Sequence, residues 1–177
     1  STGQAQGGGE ESAEQKKARE EQAKKVAEIT AKNEKIKNAT EIINKALAEG
    51  SKAYADKCYD LAFAKFQEGI AADPDFAGSA TVLNNNKALA LRMRAFDSYK
   101  QGTTDTANKA SWLEKAKNDF QGSIAASEKC LSLIAAIADA EEAKKYDPAK
   151  SSALLNLVEA NRLMIATNAD TSKPDEV

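Results

Sequence analysis

One stretch of the sequence, Gly50–Pro74, constrains the fold of this chain more than any other. Small and aromatic residues recur in it at helical spacing on both sides of a short turn, which predicts two antiparallel helices that cross closely. The small residues are Gly50, Ala62 and Gly69, and the aromatic ones are Tyr54, Tyr59 and Phe66. Pro74 is expected to end the second helix, because proline has no backbone N–H. A pair of helices this short cannot bury its apolar face alone, so it must stack on further helices.

The segment before this pair predicts one long helix that follows a Gly-rich arm at residues 1–9. Acidic and basic residues recur four positions apart in it, and no proline interrupts it before Gly50. An apolar stripe with heptad-like spacing starts at Val26, so we expect the helix to be packed from Val26 onward. Its members are Val26, Ile29, Ile36, Ile43 and Leu47. A break near residues 38–40 is an alternative, since Asn and Thr favour helix ends.

The segment after the pair predicts three more helices, which makes the fold all-α. The first covers residues 84–101, with Gly102 just past its end. The second starts at a capping-box pattern, Ser111 with Glu114, and runs for about 36 residues. The third is expected at residues 148–167. We therefore predict one helical domain at residues 10–168, followed by a polar tail at residues 169–177.

The composition excludes several classes of function. The net charge of −2 gives no general attraction to nucleic acid, and no apolar run is long enough for a membrane span. The chain has no histidine, the usual general base and the commonest metal ligand. Its two cysteines, Cys58 and Cys130, are far apart and form no zinc motif. We expect no catalytic, cofactor-binding or metal-binding residues and no enzymatic activity.

The pattern at Gly50–Pro74 resembles a tetratricopeptide repeat. The family places small residues where this chain has Gly50, Ala62 and Gly69, aromatic residues where it has Tyr54, Tyr59 and Phe66, and a closing Asp-Pro at Pro74. The chain departs from the family at Ala46, where a large aromatic residue is common. The resemblance implies a short array of antiparallel helix pairs, with its best repeat at residues 44–74.

A second, degenerate repeat is expected at residues 84–126. Ala116, Phe120 and Ile124 in it correspond to Ala62, Phe66 and Ile70 of the first repeat. The helix at 148–167 would then be half of a third repeat. In this register Cys58 and Cys130 lie near opposite edges, too far apart for a disulfide within the chain. Both thiols are expected to be buried as small apolar residues.

Three consecutive amides, Asn84, Asn85 and Asn86, stand at the predicted start of a helix that would line the concave face of the array. They can cap that helix, or they can contact the backbone of a partner peptide.

The resemblance implies work through contact with other proteins. The first hypothesis is structural self-assembly into an oligomer or filament, because uncapped repeats associate end to end. The second is an adaptor that holds a partner peptide in its concave groove. The chain starts Ser1-Thr2-Gly3 without methionine, for which removal of a signal peptide and simple trimming are both explanations. On the first of these, we expect a location outside the cytoplasm.

Overall fold

The computed structural model describes residues 12–171, and all regular structure in that range is helical. The α-helices are α1 (Ala13–Ala55), α2 (Tyr59–Ala72), α3 (Ala77–Thr104), α4 (Lys109–Ala135), α5 (Ala140–Lys144) and α6 (Asp147–Thr171), with a 3₁₀ turn at Thr106–Asn108. The all-α prediction is confirmed. The predicted arm at residues 1–9 lies outside the described residues, as does most of the predicted tail, although residues 169–171 belong to α6.

Contacts divide the chain into an N-terminal unit, Ser1–Asn38, and a C-terminal unit, Ala39–Val177. The described part of the N-terminal unit is the first portion of α1, which starts at a capping box. The Ser12 backbone N–H donates to Gln15 Oε1 at 3.0 Å, and the Gln15 N–H donates to Ser12 Oγ at 3.2 Å.

Helix α1 continues through residues 38–40, so the alternative of a break there is not realised. One expectation for α1 is wrong. Every described residue of the N-terminal unit is exposed, so the helix is not packed from Val26 onward. Burial in α1 starts only at Ile43. The apolar residues do have the heptad-like spacing, but this spacing alone does not show that another helix packs against them.

The C-terminal unit begins with the predicted close crossing of α1 and α2. A Cβ atom added at Gly50 would lie 2.5 Å from Phe66 Cε1, and one added at Gly69 would lie 2.9 Å from Ala46 Cβ. Later residues of α1 thus meet earlier residues of α2, so the two helices are antiparallel. Tetratricopeptide repeats commonly have a large residue at the position of Ala46. Because Ala46 is small, α1 and α2 can approach closely at Gly69.

The turn between α1 and α2 is a Schellman motif without glycine. The Cys58 N–H donates to the Ala53 carbonyl at 2.8 Å, and the Lys57 N–H donates to the Tyr54 carbonyl at 3.0 Å. Lys57 takes the left-handed conformation that this motif requires, with φ of 61°. The rings of Tyr54 and Tyr59 then meet edge to face across the turn, with centroids 5.6 Å apart.

The following helices also pack as antiparallel neighbours. Lys87 Nζ of α3 donates to Gln67 Oε1 of α2, and the Ser123 hydroxyl of α4 donates to the Ala88 carbonyl of α3 at 2.7 Å. Helix α6 packs on α4 and also on α3. Most of the residues predicted to define the repeats are buried or half-buried, and Pro74 is exposed just after the end of α2. The buried ones are Gly50, Tyr59, Ala62, Phe66, Gly69, Ala116 and Phe120, and the half-buried ones are Tyr54 and Ile124.

Several predicted helix ends are wrong, among them three at the ends of α3 and α4. Gly102 does not end α3 but lies inside it, and a Cβ there would be 3.0 Å from Leu113 Cδ2. Helix α4 starts at Lys109, two residues before the predicted cap at Ser111. It ends at Ala135 instead of running to residue 146, because the Asp139 carboxylate caps α5 by accepting from the N–H groups of Glu141 and Glu142.

A buried polar cluster joins α4 to α6. Asn156 Nδ2 donates to Ser123 Oγ at 2.8 Å and to Ser127 Oγ at 2.9 Å, and all three residues are almost fully buried. Small residues around it let the helices approach: Ala153 and Ala160 of α6 are fully buried. Buried polar groups require partners, so this cluster fixes one rotational position of α6 on α4.

Candidate interaction surfaces

The three asparagines singled out from the sequence lie inside α3, about two turns past its start, rather than at its start. They do not cap the helix, because α3 begins at Ala77. Asn84 is buried and donates from Nδ2 to the Ala80 carbonyl at 2.8 Å, and Asn85 is also buried. Asn86 is half-buried and lines a cavity of about 210 Å³ together with Tyr54. Of the three amides, only Asn86 is placed to touch a partner, and that contact stays a prediction.

A larger cleft, of about 470 Å³, opens where the turn before α2 meets α3 and the start of α4. Its wall combines two lysines, Lys57 and Lys115, with Asp97 and the indole of Trp112. Its charges are thus of both signs, which gives no net attraction for a strongly charged ligand.

Arg94 forms the floor of this cleft and ties three helices together. Its guanidinium donates to both carboxylate oxygens of Asp119, at 2.7 and 2.6 Å, and to Asp60 Oδ1 at 2.9 Å. It also lies 4.7 Å from the centroid of the Phe63 ring. The hydrogen bonds to Asp119 are the main reason that the pKa of Arg94 is raised. With Nε, Nη1 and Nη2 all donating to carboxylates, Arg94 joins α2, α3 and α4 rather than binding a ligand.

The rim of the cleft is fixed by Asp105, at the turn between α3 and α4. Its carboxylate accepts from Asn108 Nδ2 at 3.0 Å and from Trp112 Nε1 at 3.1 Å. These hydrogen bonds, first that from Asn108, lower the pKa of Asp105. The local hydrogen bonding typical of Asp in turns therefore orients the only tryptophan of the chain.

The two cysteines have different environments. Cys58 is exposed at the cleft, contrary to the expectation that both thiols are buried. Cys130 is fully buried among α4 and α6 residues, and burial raises the pKa of its thiol to about 11. Only Cys58 is therefore accessible to reagents in the folded chain.

Two apolar helix faces are exposed to solvent. The first, called here the α1 stripe, consists of Val26, Ile29 and Ile36, each more than half exposed. The second, called the α6 face, consists of Leu155, Val158 and Ile165, each about two-thirds exposed. Large apolar side chains repeated along one exposed helix face are a feature of surfaces that contact other proteins.

Comparison with family models, with curated proteins and with solved structures gives no match to this chain. Within residues 12–171, no group of three or more potential metal-ligating side chains occurs. In the same range no helix combines the length and the apolar character needed to cross a membrane.

Sequence reasoning missed both the Arg94 cluster and the α6 face. Nothing in the spacing of Asp60, Arg94 and Asp119 indicates that they meet, because they lie on three different helices. The α6 face did have a signal, since Leu155, Val158 and Ile165 are spaced by 3 and 7 residues. Helix α6 packs on α3 and α4 through its opposite side, which carries the buried Ala153 and Ala160.

Proposed function

We propose that this chain is a non-enzymatic, tetratricopeptide-like helical scaffold that assembles with copies of itself. The observation that carries the proposal is the presence of two exposed apolar helix faces, one on the N-terminal portion of α1 and one on α6. Exposing so many large apolar side chains in water is unfavourable, and a contact with another chain removes them from water.

The helix pairing supports the tetratricopeptide part of the proposal. Gly50 and Gly69 stand at close crossings of α1 and α2, as the small residues of such a repeat do. Helices α1 to α4 are antiparallel to their neighbours in sequence, and α6 packs on both α4 and α3. In a tetratricopeptide array, α1 with α2 and α3 with α4 would be two repeats, and α6 would be the first helix of a third. The exposed α6 face would then be where a following helix stacks.

Light scattering coupled to size-exclusion chromatography tests self-assembly directly. We expect the mass of the full chain to rise above that of one chain as its concentration is increased. A second preparation without residues 1–9 measures what the Gly-rich segment adds. A mass of one chain at every concentration, in both preparations, would exclude self-assembly.

A monomeric result would favour the second candidate, an adaptor for a partner peptide. The cavity that Asn86 lines with Ser51, Tyr54 and Leu89 favours this function, since it offers polar and apolar groups side by side. The expected location outside the cytoplasm stays a prediction, which fractionation of cells with an antibody to this chain tests.

A further inference from the structure

The two exposed apolar faces have the same spacing. Val26, Ile29 and Ile36 of the α1 stripe are separated by 3 and 7 residues, and so are Leu155, Val158 and Ile165 of the α6 face. This is the a/d pattern by which two helices pair as a coiled coil, with Val26 and Leu155 both at a positions. The side chains of the α6 face point away from the buried side of that helix, which carries Ala153 and Ala160.

We propose that the α1 stripe of one copy docks on the α6 face of a second copy, as a short parallel two-helix coiled coil. This inference rests on the proposed self-assembly and names its contact surface. In the matching register, Val26 lies opposite Leu155, Ile29 opposite Val158 and Ile36 opposite Ile165.

The charges beside the two faces favour this pairing over pairing of α1 with itself. The α1 stripe is flanked by Lys25, Lys32 and Lys37. In a parallel α1–α1 pair, Lys32 of each copy would face Lys37 of the other, and like charges repel. Pairing of α1 with α6 instead brings Lys25 opposite Glu159, which is an attractive pair of charges.

The polar residues within the α1 stripe and the α6 face disfavour pairing of α6 with itself. Asn33 occupies the a position between Ile29 and Ile36, and Arg162 occupies the corresponding position in α6. Two copies of α6 paired with each other would place two Arg162 guanidinium groups against one another. In the α1–α6 pair, the Asn33 side-chain oxygen can accept a hydrogen bond from Arg162. Arg162 now bonds to Glu159 on its own helix, with both side chains partly exposed, so it is able to reorient.

Such a contact has a consequence for the size of the assembly. It joins two different surfaces, so after the first contact one copy retains an unused face and the other retains an unused stripe. Contacts of this kind form rings if they close and filaments if they do not.

A mixing experiment tests this pairing. Ile29→Asp disrupts the α1 stripe but leaves the α6 face intact, and Val158→Asp disrupts the α6 face but leaves the α1 stripe intact. Both positions are exposed, so both variants should fold, which circular dichroism checks. Each variant alone should be monomeric at concentrations where the natural chain assembles. An equimolar mixture should form a one-to-one dimer, because only one functional contact can be made. Ala27→Asp, exposed on the other side of α1, is the control and should assemble normally.

A charge exchange tests the register. Lys25→Glu and Glu159→Lys should each weaken assembly by about threefold, the size expected for an exposed ion pair, and the double variant should recover it. Equal weakening without recovery would exclude the parallel register.

The outcomes separate the two proposals. If the natural chain is monomeric, both self-assembly and this contact are excluded. If the natural chain assembles but either aspartate variant assembles equally well, or their mixture stays monomeric, the α1–α6 contact is excluded and self-assembly stands.

Discussion

Gly69 offers the sharpest test of how the helices of the C-terminal unit are held together. In the Gly69→Ala variant, the added methyl group would lie 2.9 Å from Ala46 Cβ on α1 and 2.9 Å from Leu83 Cδ2 on α3. Real Cβ contacts are longer than this. Ala46 cannot turn its methyl group away, because that carbon is attached directly to the backbone. The helices α1 and α2 must therefore move apart.

Two opposing terms set the size of the effect. Replacing glycine by alanine inside a helix favours folding by about 1 kcal/mol through helix propensity. Forcing one extra carbon into a packed core costs about 1–3 kcal/mol. Leu83 is fully buried, so it has little space to yield and the cost should lie in the upper part of that range. We expect Gly69→Ala to lower the free energy of unfolding by about 1–2 kcal/mol.

Gly122→Ala is the matched control, since Gly122 also lies inside a helix. Its added methyl group would meet only the Leu91 side chain, whose Cδ1 is 3.2 Å away, and no carbon attached directly to a backbone, so a shift of a few tenths of an ångström relieves the contact. We expect this variant to be as stable as the natural chain or up to about 1 kcal/mol more stable. Urea unfolding followed by circular dichroism measures both; at about 1–3 kcal/mol per molar of urea, the two midpoints should differ by about 1 M. Equal midpoints for the two variants would refute the close crossing at Gly69.

The remaining predictions concern the turn, the polar cluster and the two thiols. Lys57→Gly should raise the free energy of unfolding by about 1 kcal/mol in urea unfolding, because glycine adopts the left-handed conformation of Lys57 without steric cost; a loss of stability would contradict the Schellman turn. Asn156→Ala should cost about 1–3 kcal/mol by leaving Ser123 and Ser127 without their donor, whereas the exposed Asn161→Ala should change little in the same assay. In a maleimide assay near neutral pH, Cys58 should react at once and Cys130 only as the chain unfolds. Because the pKa of the folded Cys130 thiol is raised to about 11, the unfolded chain loses this proton at a lower pH than the folded chain. Cys130 should therefore leave the free energy of unfolding unchanged below pH 9 and lower it between pH 9 and pH 11. The Cys130→Ala variant should lack that part of the decrease.

The parts of the fold that the sequence predicts well depend on local signals. The α1–α2 pair follows from small and aromatic residues close together in the chain, and the end of α2 just before Pro74 follows from proline chemistry. The cap at Asp139 was also a local signal, but it was overlooked in favour of an uninterrupted helix. The prediction that Gly102 lies just past the end of a helix was wrong for a different reason. Glycine serves both at helix ends and at close helix crossings, and only the position of Leu113 distinguishes the two uses.

The candidate surfaces were less predictable because they depend on what each helix face meets. The same 3-and-7 spacing of apolar residues occurs in exposed and in packed helices, so the sequence did not reveal that Val26, Ile29 and Ile36 are exposed. The burial of Asn84 and Asn85 was unexpected for the same reason. Their amides suggested a surface, but α3 has neighbours on several sides.

By itself, the sequence determined that this protein is all-α, that two helices cross closely at Gly50 and Gly69, and that no histidine is present for acid–base chemistry. Each of these follows from residue type or from spacing within one segment. Only the tertiary structure decided that Arg94 joins Asp60 to Asp119, that Cys58 is exposed while Cys130 is buried, and that the α1 stripe and the α6 face remain in contact with solvent. These properties depend on which helices become neighbours, and that is determined jointly by residues far apart in the sequence.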